Sequence, residues 1–179
     1  MKPIVWTFGL IAGAIMAAMM AITMPLMDHI ADKAEIIGYT TMILAFLMVY
    51  FGIRSYRDNV LTGTIGFGRA FKVGILITLV ASACYVASWE VIYHTMVPDF
   101  AEKYAARAVE KARASGASES EIEAQKQQMA KFVEGYKNPL INVGLTFLEV
   151  FPVGLVVVLI SAGVLSRKKS GGGLEVARA

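Results

Sequence analysis

The stretch "VGILITLVASACYVASWEVIYHTMV", residues 73–97, decides the fold. It is predominantly apolar, and its one acid, Glu90, and its one histidine, His94, both lie near its C-terminal end. Because an α-helix rises about 1.5 Å per residue, about 20 apolar residues cross the hydrocarbon core of a bilayer. The stretch is therefore predicted to be a transmembrane helix, and its acid requires an explanation.

Three further runs are long and apolar enough to cross a membrane: residues 4–27, 36–53 and 140–165. Hydrophobic residues make up 56% of the chain and the mean hydropathy is +0.59, more than a soluble domain of this length needs for its core. The runs are too long for the strands of a barrel, which leaves helices as the spanning structure. The first run exceeds the apolar part of a signal peptide and has no cleavage pattern, so we expect it to be retained. The predicted fold class is all-α, a single integral membrane domain over residues 1–179 with four transmembrane helices.

Basic residues predict the orientation of the chain in the membrane. The link between the second and third spans is flanked by Arg54, Arg57, Arg69 and Lys72, which we expect to contact anionic lipid headgroups. The fourth span is followed by Arg167, Lys168 and Lys169. Both termini are therefore predicted to be cytoplasmic, with residues 166–179 as a flexible tail.

The connection before the fourth span, residues 98–139, has its own helical pattern and is predicted to be an extracytoplasmic hairpin. Its two helical segments are "DFAEKYAARAVEKARA" and "ESEIEAQKQQMAKFVEGY", and Pro98 and Pro139 stand at its edges. Ser118 followed by Glu121 predicts a capping box at the start of the second helix. Each helix carries an apolar stripe at helical spacing: Phe100, Tyr104 and Ala108 on the first, and Ile122, Met129, Phe132, Val133 and Tyr136 on the second. Such a pair can pack against itself, lie on the membrane or dock a partner.

Glu90 and a second acid, Glu149, are predicted to lie at similar depths in the membrane. By helix rise they lie about 12 Å and about 15 Å below the edge marked by Pro98 and Pro139. Ionisable residues in spans usually face the protein interior, which predicts one polar intramembrane pocket made by Glu90, His94, Asn142, Thr146 and Glu149. The pocket is open to three interpretations: hydrogen bonding between helices, proton or cation handling, and a metal or catalytic site.

Small residues recur at every fourth position of the first span, at Gly9, Gly13, Ala17 and Ala21. This pattern is typical of close helix packing, either within the bundle or between two copies of the chain. The lone cysteine, Cys84, excludes a disulfide framework. No motif for a metal, a cofactor or a nucleophile with its base is visible. We therefore expect that the protein binds no metal or cofactor and is not an enzyme.

Three segments, "TIGFGRAFKVG", "SWEVIYHTMVPDF" and "TFLEVFPVGLVVVLISAGVLSRKK", carry a resemblance that covers nearly the whole chain. They resemble the bacterial membrane family catalogued as domain-of-unknown-function family 4199. The resemblance implies four spans with a long link before the last, and a place in the bacterial inner membrane. The family has no established activity, so the resemblance implies no catalytic or binding residue.

Two classes of function are favoured by these patterns. The first is a structural or accessory membrane protein that engages another envelope protein through the hairpin. The second is a proton- or cation-handling transport protein that uses Glu90 and Glu149, with the chain forming a homo-oligomer, although no inverted repeat supports it. The expected partners are the lipid bilayer, an envelope protein and further copies of the chain, and no nucleic acid.

Overall fold

Helices account for almost all of the structure, a computed structural model that describes residues 1–30 and 33–167, and no strand occurs in these ranges. The helices in chain order are α1 (Lys2–Thr23), the single turn α2 (Met27–Ile30), α3 (Ala34–Val60), α4 (Phe67–Thr95), α5 (Phe100–Ala114), α6 (Glu119–Tyr136) and α7 (Pro139–Ser166). A 3₁₀ turn, Met24–Leu26, separates α1 from α2. Of the predicted tail, Ser166 ends α7 and Arg167 caps it, while residues 168–179 lie outside the described residues.

Four of these helices, α1, α3, α4 and α7, are long and apolar enough to cross a membrane. The four predicted spans are therefore confirmed. However, α3 extends beyond its apolar run at its C-terminal end, and α4 extends beyond its run at its N-terminal end. The helical backbone of α3 continues to Val60 through Arg54 and Arg57, and α4 begins at Phe67, before Arg69. Hydropathy marks only the apolar part of a helix, whereas its hydrogen bonds continue into the polar turns.

The four spans form a bundle in which α1 and α7 each pack against α3 and α4. α3 and α4 also meet across the centre, where Phe46, Ile53 and Ile77 are fully buried. The outer surface carries many exposed apolar side chains, among them Trp6, Val91, Leu140, Leu148 and Ile160. A surface of this kind fits contact with lipid tails, because the bilayer core offers no partner for polar groups.

Close approach of α1 to α4 depends on the first two small residues of the predicted packing ridge. A Cβ added at Gly9 would lie 2.7 Å from the Cβ of Val80, and one added at Gly13 would collide with Cys84. Ala17 is half-buried and Ala21 is exposed. The glycines therefore serve packing within the bundle, and the end of the ridge lies at the surface.

α5 and α6 form an antiparallel hairpin that packs against itself. The rings of Tyr104 and Phe132 lie 5.5 Å apart between the two helices. The predicted capping box is confirmed: the Ser118 hydroxyl accepts from the Glu121 amide at 3.4 Å, and the Glu121 carboxylate accepts from the Ser118 amide at 2.8 Å. The hydroxyl and amide of Ser118 also hold the pKa of Glu121 below its usual value. This cap fixes where α6 begins.

Candidate functional site: a cavity covered by the hairpin

An aromatic cluster joins the hairpin to the end of the bundle. Trp89 lies on α4, nearly two turns from its end at Thr95, and its ring meets Phe100 of α5 edge-on with the ring centroids 4.8 Å apart. Tyr136 is the last residue of α6, and the centroid of its ring lies 5.5 Å from that of Tyr93 and 6.1 Å from that of Phe100. Phe100 begins α5 and Tyr136 ends α6, each a short link away from a span. Their ring contacts therefore hold both helices of the hairpin against α4. The hairpin is thereby docked on the bundle rather than tethered to it.

A buried hydrogen-bond network reinforces this docking. The indole Nε1 of Trp89 donates to the Tyr136 hydroxyl at 2.8 Å and to Oδ1 of Asn142 at 3.0 Å. The Thr146 hydroxyl donates to the Asn142 carbonyl at 2.9 Å, one turn further along α7. Trp89, Tyr136, Asn142 and Thr146 are all buried. The network therefore connects α4, α6 and α7 at buried positions, where a polar group left without a partner costs free energy.

Burial raises the pKa of Tyr136 to about 12, despite hydrogen bonds from Trp89 and with Thr146 that favour the phenolate. Desolvation disfavours the charged form of a phenol, so the hydroxyl stays neutral over the physiological pH range. A neutral hydroxyl can accept from Trp89 and still donate a hydrogen bond. The network is therefore insensitive to pH in that range.

Below the hairpin lies a partly open cavity of about 220 Å³. Phe100 and Tyr104 of the hairpin contribute to its lining from above, and the exposed Glu35 and Tyr104 lie at its rim. Tyr136 at the end of α6 also lines it, and the remaining lining comes from the spans, the 3₁₀ turn and α2: Met16, Met19, Met20, Thr23, Met24, Ile30, Ala34, Ile37, Gly38, Thr41, Met42, Tyr85, Trp89 and Glu149. Two carboxyl groups and no basic side chain are present among the described lining residues. The cavity is mainly apolar and aromatic, and its ionisable groups are acidic.

Glu149 is the acid within the cavity. It lies about 15 Å along α7 from Pro139, in the half of the bundle nearer to the hairpin. The hydroxyl of Tyr85 is its hydrogen-bonding partner. Glu149 is an exposed residue, and it lines the cavity. A polar group of a ligand in the cavity would therefore meet this carboxyl group.

The five residues predicted to form one pocket are divided by the structure into two groups. Asn142, Thr146 and Glu149 lie together on α7, in the network or the cavity. Glu90 and His94 lie apart from them on α4, with Nε2 of His94 3.5 Å from Oε2 of Glu90.

Rotation of α4 explains the division. Tyr85 and Trp89 line the cavity, and Glu90 follows Trp89 by about 100° around the helix. Ala83, Ala87 and His94, on the same face as Glu90, are exposed. The Glu90 side chain is 25% exposed, and its Oε1 is buried without a hydrogen-bond partner. Equal depth in the membrane therefore does not bring the two acids into one cavity.

The four predicted headgroup residues lie at the end of the bundle opposite to the hairpin. Arg54 and Arg57 lie in the last turns of α3, and Arg69 and Lys72 lie in the first turns of α4. Arg57 is half-buried and pairs with Asp58 at 2.7 Å, while the other three are exposed. Their contact with lipid remains a prediction.

Sequence reasoning overlooked Tyr85, Trp89 and Glu35 as parts of a site. The available signal was the pair Tyr85 and Trp89, one helical turn apart in an apolar span, because a buried tyrosine or tryptophan needs a partner for its polar atom. Their partners lie far away in sequence: Trp89 and Asn142 are separated by 53 positions. A local pattern could indicate the need for a partner, but not its identity.

The four membrane-length helices and their apolar outer surface define a multi-pass membrane protein of the helical-bundle class. Its spans enclose a cavity covered by a docked helical hairpin. Residues 7–167 match the model of the family described as "Protein of unknown function (DUF4199)", and the chain belongs to this family. Neither the curated proteins nor the solved structures contain a match to the chain.

Proposed function

We propose that this protein is a non-enzymatic accessory component of the bacterial inner membrane that engages another envelope protein through the α5–α6 hairpin. The observation that carries the proposal is the docking of the hairpin on the bundle. α4 and α7 pack against each other, and helix–helix connections in bundles usually need about 2–8 residues. The chain instead uses two helices, a capping box and a buried network to hold a projecting element in place. A connection alone requires none of these.

The outer faces of the hairpin are charged rather than apolar. The apolar side chains lie between α5 and α6, and the outward faces carry close pairs such as Lys103 with Asp99 at 3.0 Å and Lys126 with Glu123 at 3.3 Å. Exposed pairs of this kind add little to stability. Charges of both signs on a fixed frame favour selection among partners and association rate. The hairpin therefore suits polar contact with a protein domain better than burial in the membrane.

The alternative, proton or cation transport by Glu90 and Glu149, has weaker support. Only Glu149 lines the cavity, and Glu90 lies on another face of α4 near His94. A relay between two acids would need their carboxyl groups within reach of each other. The separation of Glu90 from the cavity therefore favours the accessory role over transport.

The accessory role is tested by photo-crosslinking in native membranes. A photoreactive side chain at Glu110 or Lys131, both exposed on the hairpin, should give a discrete heterologous adduct, and one at Lys72 at the opposite end should not. In the hairpin-labelled protein, the double swap Glu123→Lys with Lys126→Glu retains an opposite-charge pair but reverses its pattern, and should reduce the adduct. The proposal fails if the hairpin labels yield no adduct, or yield only the adduct also seen from Lys72.

The proposed orientation gives a separate expected result. Reporter fusions at residue 60 and at the C-terminus should report the cytoplasm, and a fusion at residue 118 should report the outside. The reason is the cluster of Arg54, Arg69 and Lys72 at the end of the bundle away from the hairpin. A fusion at residue 30 provides the internal control, because it should report the same side as residue 118. An outside signal at residue 60 would reverse the orientation and remove the hairpin from the envelope space.

A further inference from the structure

We infer that the cavity beneath the hairpin binds a small organic cation, an amine or quaternary ammonium group carried on an apolar body. This site goes beyond the proposed function, because the cavity lies beneath the hairpin and the proposed partner surface lies on its outer faces. The inference can therefore fail while partner binding stands, and the reverse also holds.

Charge is the first ground for the inference. Glu149 lies within the cavity and Glu35 at its rim, and the described lining residues include no lysine, arginine or histidine. The Tyr85 hydroxyl gives Glu149 a hydrogen bond but no opposite charge. A carboxylate in a mainly apolar lining is stabilised by a cation that approaches it. An anionic ligand would meet repulsion from both acids.

The aromatic side chains are the second ground. Tyr85 and Tyr104 line the cavity, and their rings can attract an ammonium group through the negative faces of their π systems. Five methionines also line it, and their flexible side chains adapt to apolar groups of different shape. This combination suits a cation that carries hydrocarbon better than a hydrated metal ion, which needs several oxygen ligands.

Size limits the ligand further. The cavity holds about 220 Å³, whereas an apolar cavity of about 150 Å³ in another protein accommodates benzene. A ligand of roughly ten non-hydrogen atoms therefore fits, and a whole phospholipid does not. The ammonium group could belong to a free amine or to the ethanolamine headgroup of a lipid, since both present the same chemistry.

Intrinsic fluorescence can report the binding, because Trp89 lies at the cavity and the chain has only one other tryptophan, the exposed Trp6. The full chain carrying Trp6→Phe is reconstituted in vesicles of phosphatidylglycerol and titrated with benzyltrimethylammonium. The neutral isostere neopentylbenzene and the anion phenylacetate are titrated in parallel. We expect saturable binding of the cation, with affinity for the neutral isostere about tenfold or more weaker and no binding of phenylacetate. Equal affinity for the cation and its neutral isostere would overturn the inference.

Substitutions locate the site. Glu149→Gln should weaken cation binding about tenfold or more, and Glu90→Gln, outside the cavity, should leave it unchanged. Gly38→Leu offers a test independent of charge, because a side chain at this lining glycine meets open space at its Cβ and would fill the cavity. Gly163→Leu, also open at its Cβ but outside the cavity, is its control. An equal loss in Glu149→Gln and Glu90→Gln, or undiminished binding in a folded Gly38→Leu variant, would contradict the inference.

Lipid composition separates the two sources of the cation. Adding phosphatidylethanolamine to the vesicles should weaken the apparent affinity for benzyltrimethylammonium if the lipid headgroup occupies the cavity. An unchanged affinity assigns the site to a free amine. Both results support a cation site, and the absence of saturable fluorescence change in either lipid mixture would overturn it.

Discussion

Replacing Gly154 with alanine will lower the stability of the bundle by about 1–3 kcal/mol, the usual cost of forcing extra volume into a packed core. Gly154 lies on α7 where it crosses α3 and α4. An added Cβ would lie 2.5 Å from Cγ2 of Thr78 and 2.7 Å from Cζ of Phe46. Thr78 and Phe46 are fully buried, so neither can move aside without displacing further neighbours. The measurement is the midpoint of thermal unfolding in detergent.

Gly163→Ala is the matched control for this prediction. It lies on the same helix, and an added Cβ there meets no atom within 4 Å. Both substitutions improve helix propensity equally, so a difference between them isolates the packing. If the two variants unfold at the same temperature, α7 does not pack as closely against α3 and α4 at Gly154 as these contacts require.

Replacing Trp89 with phenylalanine will release the hairpin from the bundle, with an expected cost of about 1–3 kcal/mol. Phenylalanine keeps an aromatic ring against Phe100 but removes the indole N–H that donates to Tyr136 and Asn142. Those two acceptors are buried, and leaving them without this donor carries a desolvation cost. Amide hydrogen exchange should increase through α5 and α6 and much less in the centres of the spans.

The control for the Trp89 prediction is Trp6→Phe, which makes the same chemical change at an exposed position of α1. It should leave hydrogen exchange in the hairpin unchanged. Unaltered exchange in both variants would show that the indole hydrogen bonds do not hold the hairpin on the bundle. That result would also weaken the proposed function, since the accessory role depends on a hairpin fixed to the bundle.

The sequence allowed the elements to be predicted because their signals are local. The four spans follow from apolar length, and α6 begins at the predicted capping box of Ser118 and Glu121. The apolar stripes of the hairpin pack between α5 and α6, as the contact of Tyr104 with Phe132 shows. Span ends were less predictable, since α3 and α4 extend into charged turns that hydropathy does not assign to a membrane.

The composition of the site could be predicted only in part. Asn142, Thr146 and Glu149 were identified, because polar residues in an apolar helix require partners within the protein. Glu90 was placed beside Glu149 on the basis of depth, and the structure separates them. Depth follows from helix rise along one helix, whereas rotation about the helix axis depends on the helices packed around it.

The sequence by itself determined the membrane class, the number of spans and the helical hairpin, since apolar length, helical periodicity and caps act within one segment. Only the tertiary structure decided that Trp89 would meet Tyr136 and Asn142, from positions 47 and 53 residues away, and that Glu149 would line a cavity while Glu90 would not. The physical reason is that a cavity consists of the space between helices. Its shape and lining depend on how several segments pack together, and no single segment encodes that arrangement.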